Sequence, residues 1–188
     1  MNQKDIRLIH QFVDYGLSEL KKLELMQTPG NVPIEMKDGT KNEDGWITWK
    51  PIKSTVTNSE IIQLEVMTNC NFPISFIEFL KYKHFYGLYL AAFPMIRFYN
   101  HPIKNWLKKY VQMYSYDWVR EDLISNKIIP FADYGDYGFL CFDAREKYPN
   151  NEYPILMVDH ELVGDIDSYE MFNSSFMEMV KERLIEKK

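Results

Sequence analysis

IIPFADYGDYGFLCFDAREKYPNNEYPILMV, residues 128–158, reads as three strands divided by two turns. Ile128-Ile129-Pro130-Phe131, Tyr137 to Phe142 and Tyr153 to Val158 are short apolar runs of strand length. Between them, Asp133-Tyr134-Gly135-Asp136 and Pro149-Asn150-Asn151 supply turn chemistry. Gly and Asn accept left-handed backbone, and Asp and Asn side chains hydrogen-bond the local chain. Consecutive strands joined this way form an antiparallel meander most economically.

Upstream of the meander the spacing becomes helical. Ile103, Trp106, Leu107, Tyr110, Val111 and Tyr114 recur at three and four residues, predicting a helix over roughly 102–120. Leu88 to Tyr99 reads as one or two buried strands around Pro94. Thr57-Asn58-Ser59-Glu60 fits a capping box, in which the hydroxyl serves a free first-turn amide and the carboxylate reaches back. The helix it opens should run to about Thr68, with Ile61, Leu64 and Met67 or Thr68 inward. Pro73 suits a helix start, where no hydrogen bond is lost, and Phe76, Phe79, Leu80 and Lys83 follow at helical spacing. These two helices are expected to pair. Ser175-Phe176-Met177-Glu178 forms a second capping box before a last helix with Phe176, Met179, Val180 and Leu184 inward.

At the other end, Ile6, Ile9, Val13, Leu17 and Leu20 draw one apolar stripe, predicting a helix that ends near Thr28-Pro29-Gly30. From Thr28 to Gly45 the chain is rich in Gly, Pro and Asp, the chemistry of an ordered loop and not of core. Trp46-Ile47-Thr48-Trp49 reads as a strand limited by Pro51, with Trp46 and Trp49 on one face and in the core. The expected organisation is a single domain: residues 1–45 form an N-terminal helix and ordered loop packed on a body formed by residues 46–188.

Composition bounds the function. The chain of 188 residues is 46% hydrophobic and 15% aromatic, enough for one sizeable core and far from a disordered composition. A net charge of −5 disfavours phosphate-backbone binding, so no nucleic acid is expected. Lys104, Lys108 and Lys109 read as a solvated helix face. Cys70 and Cys141 are too few for a disulfide scaffold and suit free thiols in a reducing, cytoplasmic setting. The first residues, carrying Asp5 and Asp14, lack the apolar stretch of a cleaved export signal. The longest apolar run, Leu88 to Ile96, is too short to span a bilayer.

Residues that could carry chemistry have structural explanations. Cys141 with Asp159-His160-Glu161 offers the parts of a thiolate nucleophile. Neighbours on a strand point to opposite faces, however, and Cys141 lies within apolar Phe139-Leu140-Cys141-Phe142. His10, His84, His101 and His160 are scattered over different predicted elements, and Asp133, Asp136 and Asp143 match a calcium loop only loosely. Asp165 and Asp167 fit a turn after Gly164. No phosphate-binding glycine loop is present. Neither catalytic residues, nor a metal, nor cofactors are expected.

Several motifs stand in order along the chain: Trp49-x-Pro51; Ser54-x-Val56-Thr57-x-x-Glu60-Ile61-x-x-Leu64-Glu65; and Phe72-Pro73-x-Ser75-Phe76-x-x-Phe79-Leu80. Ile129-Pro130-Phe131-Ala132-Asp133, Asp136-x-Gly138-x-Leu140-Cys141-Phe142-Asp143, Tyr153-Pro154-Ile155, Asp159-His160-Glu161 and Ser175-Phe176-x-Glu178 follow. From Trp46 to Leu184 this order resembles the SUKH superfamily, the group containing the Smi/Knr yeast cell-wall regulators. Lys83-His84-Phe85-Tyr86-Gly87 departs from the family's usual turn, and the first helix extends beyond the minimal domain. The resemblance implies an α+β fold with a bent antiparallel sheet flanked by helices. It also implies no common catalytic machinery, and a binding role: toxin neutralisation as an immunity protein in bacterial relatives, regulation of cell-wall and glucan synthesis in fungal ones.

The resemblance therefore implies a protein partner, a cognate toxin if the chain acts as the bacterial relatives do. Tyr and Trp dominate binding hot spots. Asp133, Tyr134, Asp136 and Tyr137, an acidic and aromatic cluster in a predicted loop, are the candidate partner-binding residues.

Overall fold

The computed structural model describes residues 1–90 and 95–185. Helix α1 (Gln3–Lys22) is followed by the short strands β1 (Gln27–Pro29), β2 (Lys37–Lys41), β3 (Trp46–Trp49) and β4 (Ile52–Lys53). Helices α2 (Asn58–Thr68) and α3 (Ile74–Tyr82) precede β5 (Lys83–His84), β6 (Leu88–Leu90) and β7 (Ile96–Phe98). Helix α4 (Trp106–Tyr114) leads through a π-helical turn, Val119–Leu123, into β8 (Ile128–Tyr134), β9 (Gly138–Asp143), β10 (Ile155–Asp159) and β11 (Glu170–Asn173). The last element is α5 (Phe176–Ile185).

The fold is α+β, and its centre is the meander. Strands β6 to β11 pair antiparallel in chain order as one six-stranded sheet. Pro130 sits inside this sheet without cost because β7 pairs only with Ala132–Tyr134, so the missing amide leaves no gap in that ladder. The register shifts between Pro130 and Ala132, and the Tyr114 hydroxyl donates to the Pro130 carbonyl at 3.0 Å.

One sheet face packs on α1, α3 and α5. Phe76 lies at the middle of that core, with the rings of Phe72, Phe79, Phe131, Phe142 and Phe176 at centroid distances of 5.2–5.7 Å. Helix α1 approaches β6 closely through Gly16, where a Cβ would stand 2.7 Å from Leu88 Cδ1. The opposite face carries a smaller cluster, Leu123, Ile128, Cys141, Leu156 and Val158, covered by the chain after α4. The sheet is thus covered by helices on one side and only in part on the other, where Arg97 stays open to solvent.

Both caps form, one of them in part. Thr57 Oγ1 accepts from the Glu60 amide at 3.3 Å and Glu60 Oε2 accepts from the Thr57 amide at 2.8 Å. At α5, Ser175 Oγ accepts from the Glu178 amide at 3.2 Å, but the Glu178 carboxylate turns to Lys181 instead of returning.

Several expectations are corrected. Helix α1 stops at Lys22, because Glu24 takes a left-handed φ of 58° and residues 27–29 pair with β3. The segment 28–45 is not only loop: β1 and β2 flank β3 in a small sheet that buries Met36. Trp49 is buried but Trp46 is 43% exposed, since an offset of three places strand residues on opposite faces. Helix α2 packs chiefly on α4, and α3 on α1 and α5, while α2 and α3 meet through Lys81, which donates to Asn58. The helix expected over 102–120 is regular only from Trp106 to Tyr114, whose inward residues are Trp106, Tyr110 and Tyr114. Leu88–Tyr99 does hold two strands; Pro94 lies outside the described residues. Strand β11, of mixed polarity, has no apolar run to announce it.

Candidate functional site

The thiol, the imidazole and the acids considered as a nucleophilic set are engaged separately. Cys141 is fully buried in the smaller cluster, and desolvation pushes its thiol far above the ordinary cysteine value. His160 is exposed beyond the end of β10, and Asp159 Oδ1 accepts from the Glu161 amide at 2.9 Å, closing the strand as a turn. Among the described residues no group of His, Cys, Asp and Glu could hold a metal ion.

Two histidines that the sequence separates do meet. His84 and His101 are both fully buried, with ring centroids 4.9 Å apart. The Thr55 amide donates to His84 Nε2 at 2.9 Å, so that nitrogen carries no proton and Nδ1 donates to the His101 carbonyl at 3.0 Å. His101 Nε2 donates to the Leu80 carbonyl at 2.9 Å, leaving Nδ1 a buried acceptor with no partner among the described residues. Desolvation, then the neighbouring His84, hold the His101 pKa down at about 3, and desolvation also lowers that of His84. Both rings are neutral near pH 7, and they tie β4, β5 and the end of α3 together.

The open surface lies on the outer face of the large sheet. Tyr89, Arg97, Asp133, Phe139 and Val158 are register partners across β6 to β10, so they form one row on one face. Val158 is buried at one end of the row. Toward the other, Tyr89, Arg97, Asp133, Lys109 and Tyr116 line a groove of about 340 Å³ between the sheet and α4. Arg97 Nε and Nη2 both donate to Asp133 Oδ2, at 2.8 and 2.5 Å. Alongside, a second groove of about 370 Å³ is lined by Trp118, Asp122, Phe139, His160 and Val163. Tyr116 and Trp118 stack nearly parallel, and the Trp118 ring lies 5.5 Å from Phe139. Two grooves therefore share one aromatic ridge.

The four predicted contact residues do not form one patch. Asp133 and Tyr134 belong to strand β8, not to a loop, and alternate across it. Asp133 faces the first groove, paired with Arg97. Tyr134 turns the other way, packed on Phe172 at 5.1 Å. Asp136 and Tyr137 are exposed in the turn, where the Tyr137 carbonyl accepts from the His160 amide at 2.9 Å. Sequence reasoning missed Arg97, Tyr116 and Trp118. Their signal was negative: both aromatics fall off the inward stripe that ends at Tyr114, and large rings off a stripe must find cover or stay exposed.

The family model described as SMI1 / KNR4 family (SUKH-1) matches residues 55–182, from the residues before α2 into α5. Comparison with curated proteins finds no match. The matched span takes in α2, α3, both histidines, the whole six-stranded sheet and both grooves, well over half of the 188 residues. On that match, over this α+β fold, the chain belongs to the SMI1/KNR4 family (SUKH-1).

Proposed function

We propose that this SUKH-type domain is a non-catalytic protein-binding domain acting in the cytoplasm as an immunity protein, occluding a cognate toxin. The observation that carries the binding reading is the aromatic ridge Tyr116–Trp118–Phe139. Tyr116 is 45% and Trp118 38% exposed beside the outer face of the large sheet. Large rings left open between polar margins are the residues that anchor protein interfaces.

Three further observations support the reading. The one fully buried thiol is far too basic to act as a nucleophile near pH 7. Cys70 and Cys141 are both free, which suits a reducing compartment. No helix among the described residues is long and apolar enough to cross a membrane.

Co-expression with the toxin-like product of an adjacent gene is the test. Co-purification with rescue of growth is the expected result. Absence of both for every adjacent candidate would sink the immunity role. Capture of envelope-synthesis proteins without rescue would instead assign the domain to regulation of cell-wall or glucan synthesis.

A further inference from the structure

Resting on the protein-binding reading, we propose that the groove framed by Trp118, Phe139, His160 and Val163 docks a basic segment of the partner protein, with an arginine as its central contact. Charge decides the occupant. The three segments that build the groove and its margins, 116–122, 136–139 and 158–165, carry seven carboxylates against the single guanidinium of Arg120. That surplus exceeds the −5 of the whole chain, so the rest of the molecule is close to neutral. Arg120 offers little compensation, because its Nη2 already lies 2.7 Å from Asp117 Oδ1 and 3.7 Å from Glu121 Oε1.

Geometry decides the side chain. Trp118 and Phe139 present rings within 5.5 Å of each other at an angle of 36°, and Asp122 lines the same groove. A planar guanidinium can stack on the indole and reach the carboxylate with two donors, which a compact ammonium cannot do. A second copy of this chain would set one acidic margin against another, and nucleic acid would bring more negative charge to it.

The test is an NMR titration of the ¹⁵N-labelled chain with blocked tetra-arginine, tetra-lysine and tetra-glutamate peptides. Tetra-arginine is expected to move the Trp118 indole N–H and the amides of residues 137–139 and 160–163 saturably. Tetra-lysine should bind more weakly and tetra-glutamate not at all. Trp118→Ala and Asp122→Lys should each weaken tetra-arginine binding about 10-fold or more. The second variant changes only a half-exposed carboxylate and guards against disturbance of the fold. Absent shifts, shifts spread over the whole acidic surface, or unchanged binding by both variants would overturn the proposal. So would movement of the same signals on self-association. A toxin that co-purifies equally with both variants would overturn this site while leaving the immunity role standing. Saturable tetra-arginine binding at the groove without any toxin partner would support the site and count against immunity.

Discussion

The Trp106 indole donates to Glu60 Oε1 at 3.1 Å, while the other oxygen of the same carboxylate closes the capping box on Thr57. One side chain thus starts α2 and fastens it to α4. Both roles were visible separately, as a capping motif and as an inward tryptophan; their union was not.

Removing that carboxylate should cost more than a cap alone. Glu60→Ala loses the return bond to Thr57 and leaves a buried indole N–H unpaired, for a combined loss of about 2–3 kcal/mol. Glu60→Gln keeps an acceptor for the indole and should lose about 1 kcal/mol or less. Urea unfolding of both variants measures the difference, and equal losses would show that the indole contact contributes nothing.

Acidification should weaken the fold through the histidine pair. The His101 pKa is held down at about 3 against an ordinary value of 6.5, and His84 is shifted the same way. Between those limits the unfolded chain binds more protons, so the contribution is intact above pH 6.5 and is lost as pH falls. By pH 5 the loss from His101 reaches about 2 kcal/mol. Urea midpoints from pH 7.5 to 5 should decline, and His101→Gln, whose amide can still serve the Leu80 carbonyl, should flatten the slope. A profile already flat in the native chain would refute neutral burial.

Gly16→Ala should destabilise, against the usual gain of about 1 kcal/mol for this change inside a helix. The new methyl would meet Leu88 Cδ1 at 2.7 Å and Leu90 Cδ2 at 3.3 Å, and both leucines are buried. A net cost of about 1–2 kcal/mol is expected by thermal or urea unfolding. In a Leu88→Ala background the same substitution should become neutral or favourable, and an unchanged cost there would contradict the steric account.

Phe76→Ala opens the centre of the ring cluster and should cost about 3–5 kcal/mol. Ile34→Ala, at a residue 78% exposed, should stay within about 0.5 kcal/mol. Comparable losses at the two positions would move the centre of the core away from α3.

Local chemistry made much of this fold legible. The turns after Asp133 and Pro149, the caps at Thr57 and Ser175, and the apolar runs of β8, β9 and β10 each announce themselves within a few residues. What escaped depends on distant partners. Gln27–Pro29 becomes a strand because Trp46–Thr48 lies beside it, and His84 meets His101 only once Phe85, next to β5, bridges to His101, beyond the end of β7. The contact residues suffered from register: Tyr134 and Asp133 are neighbours in sequence and face opposite sides of a sheet. Arg97 could be joined to Asp133 only once β7 had been laid against β8.

Phe12 in α1 and Phe176 in α5 touch edge to face at 6.4 Å, although they stand near opposite ends of the chain. The apolar stripe of α1 therefore has no complete resting place until the last helix has been synthesised. On a ribosome delivering residues one at a time, α1 can lay Phe12 against Phe79 of α3 once the first half has emerged, but the side of its stripe that meets Phe176 stays uncovered until α5 follows. The docking of α1 is therefore completed only after α5 has been made, and not with the emergence of the first half alone.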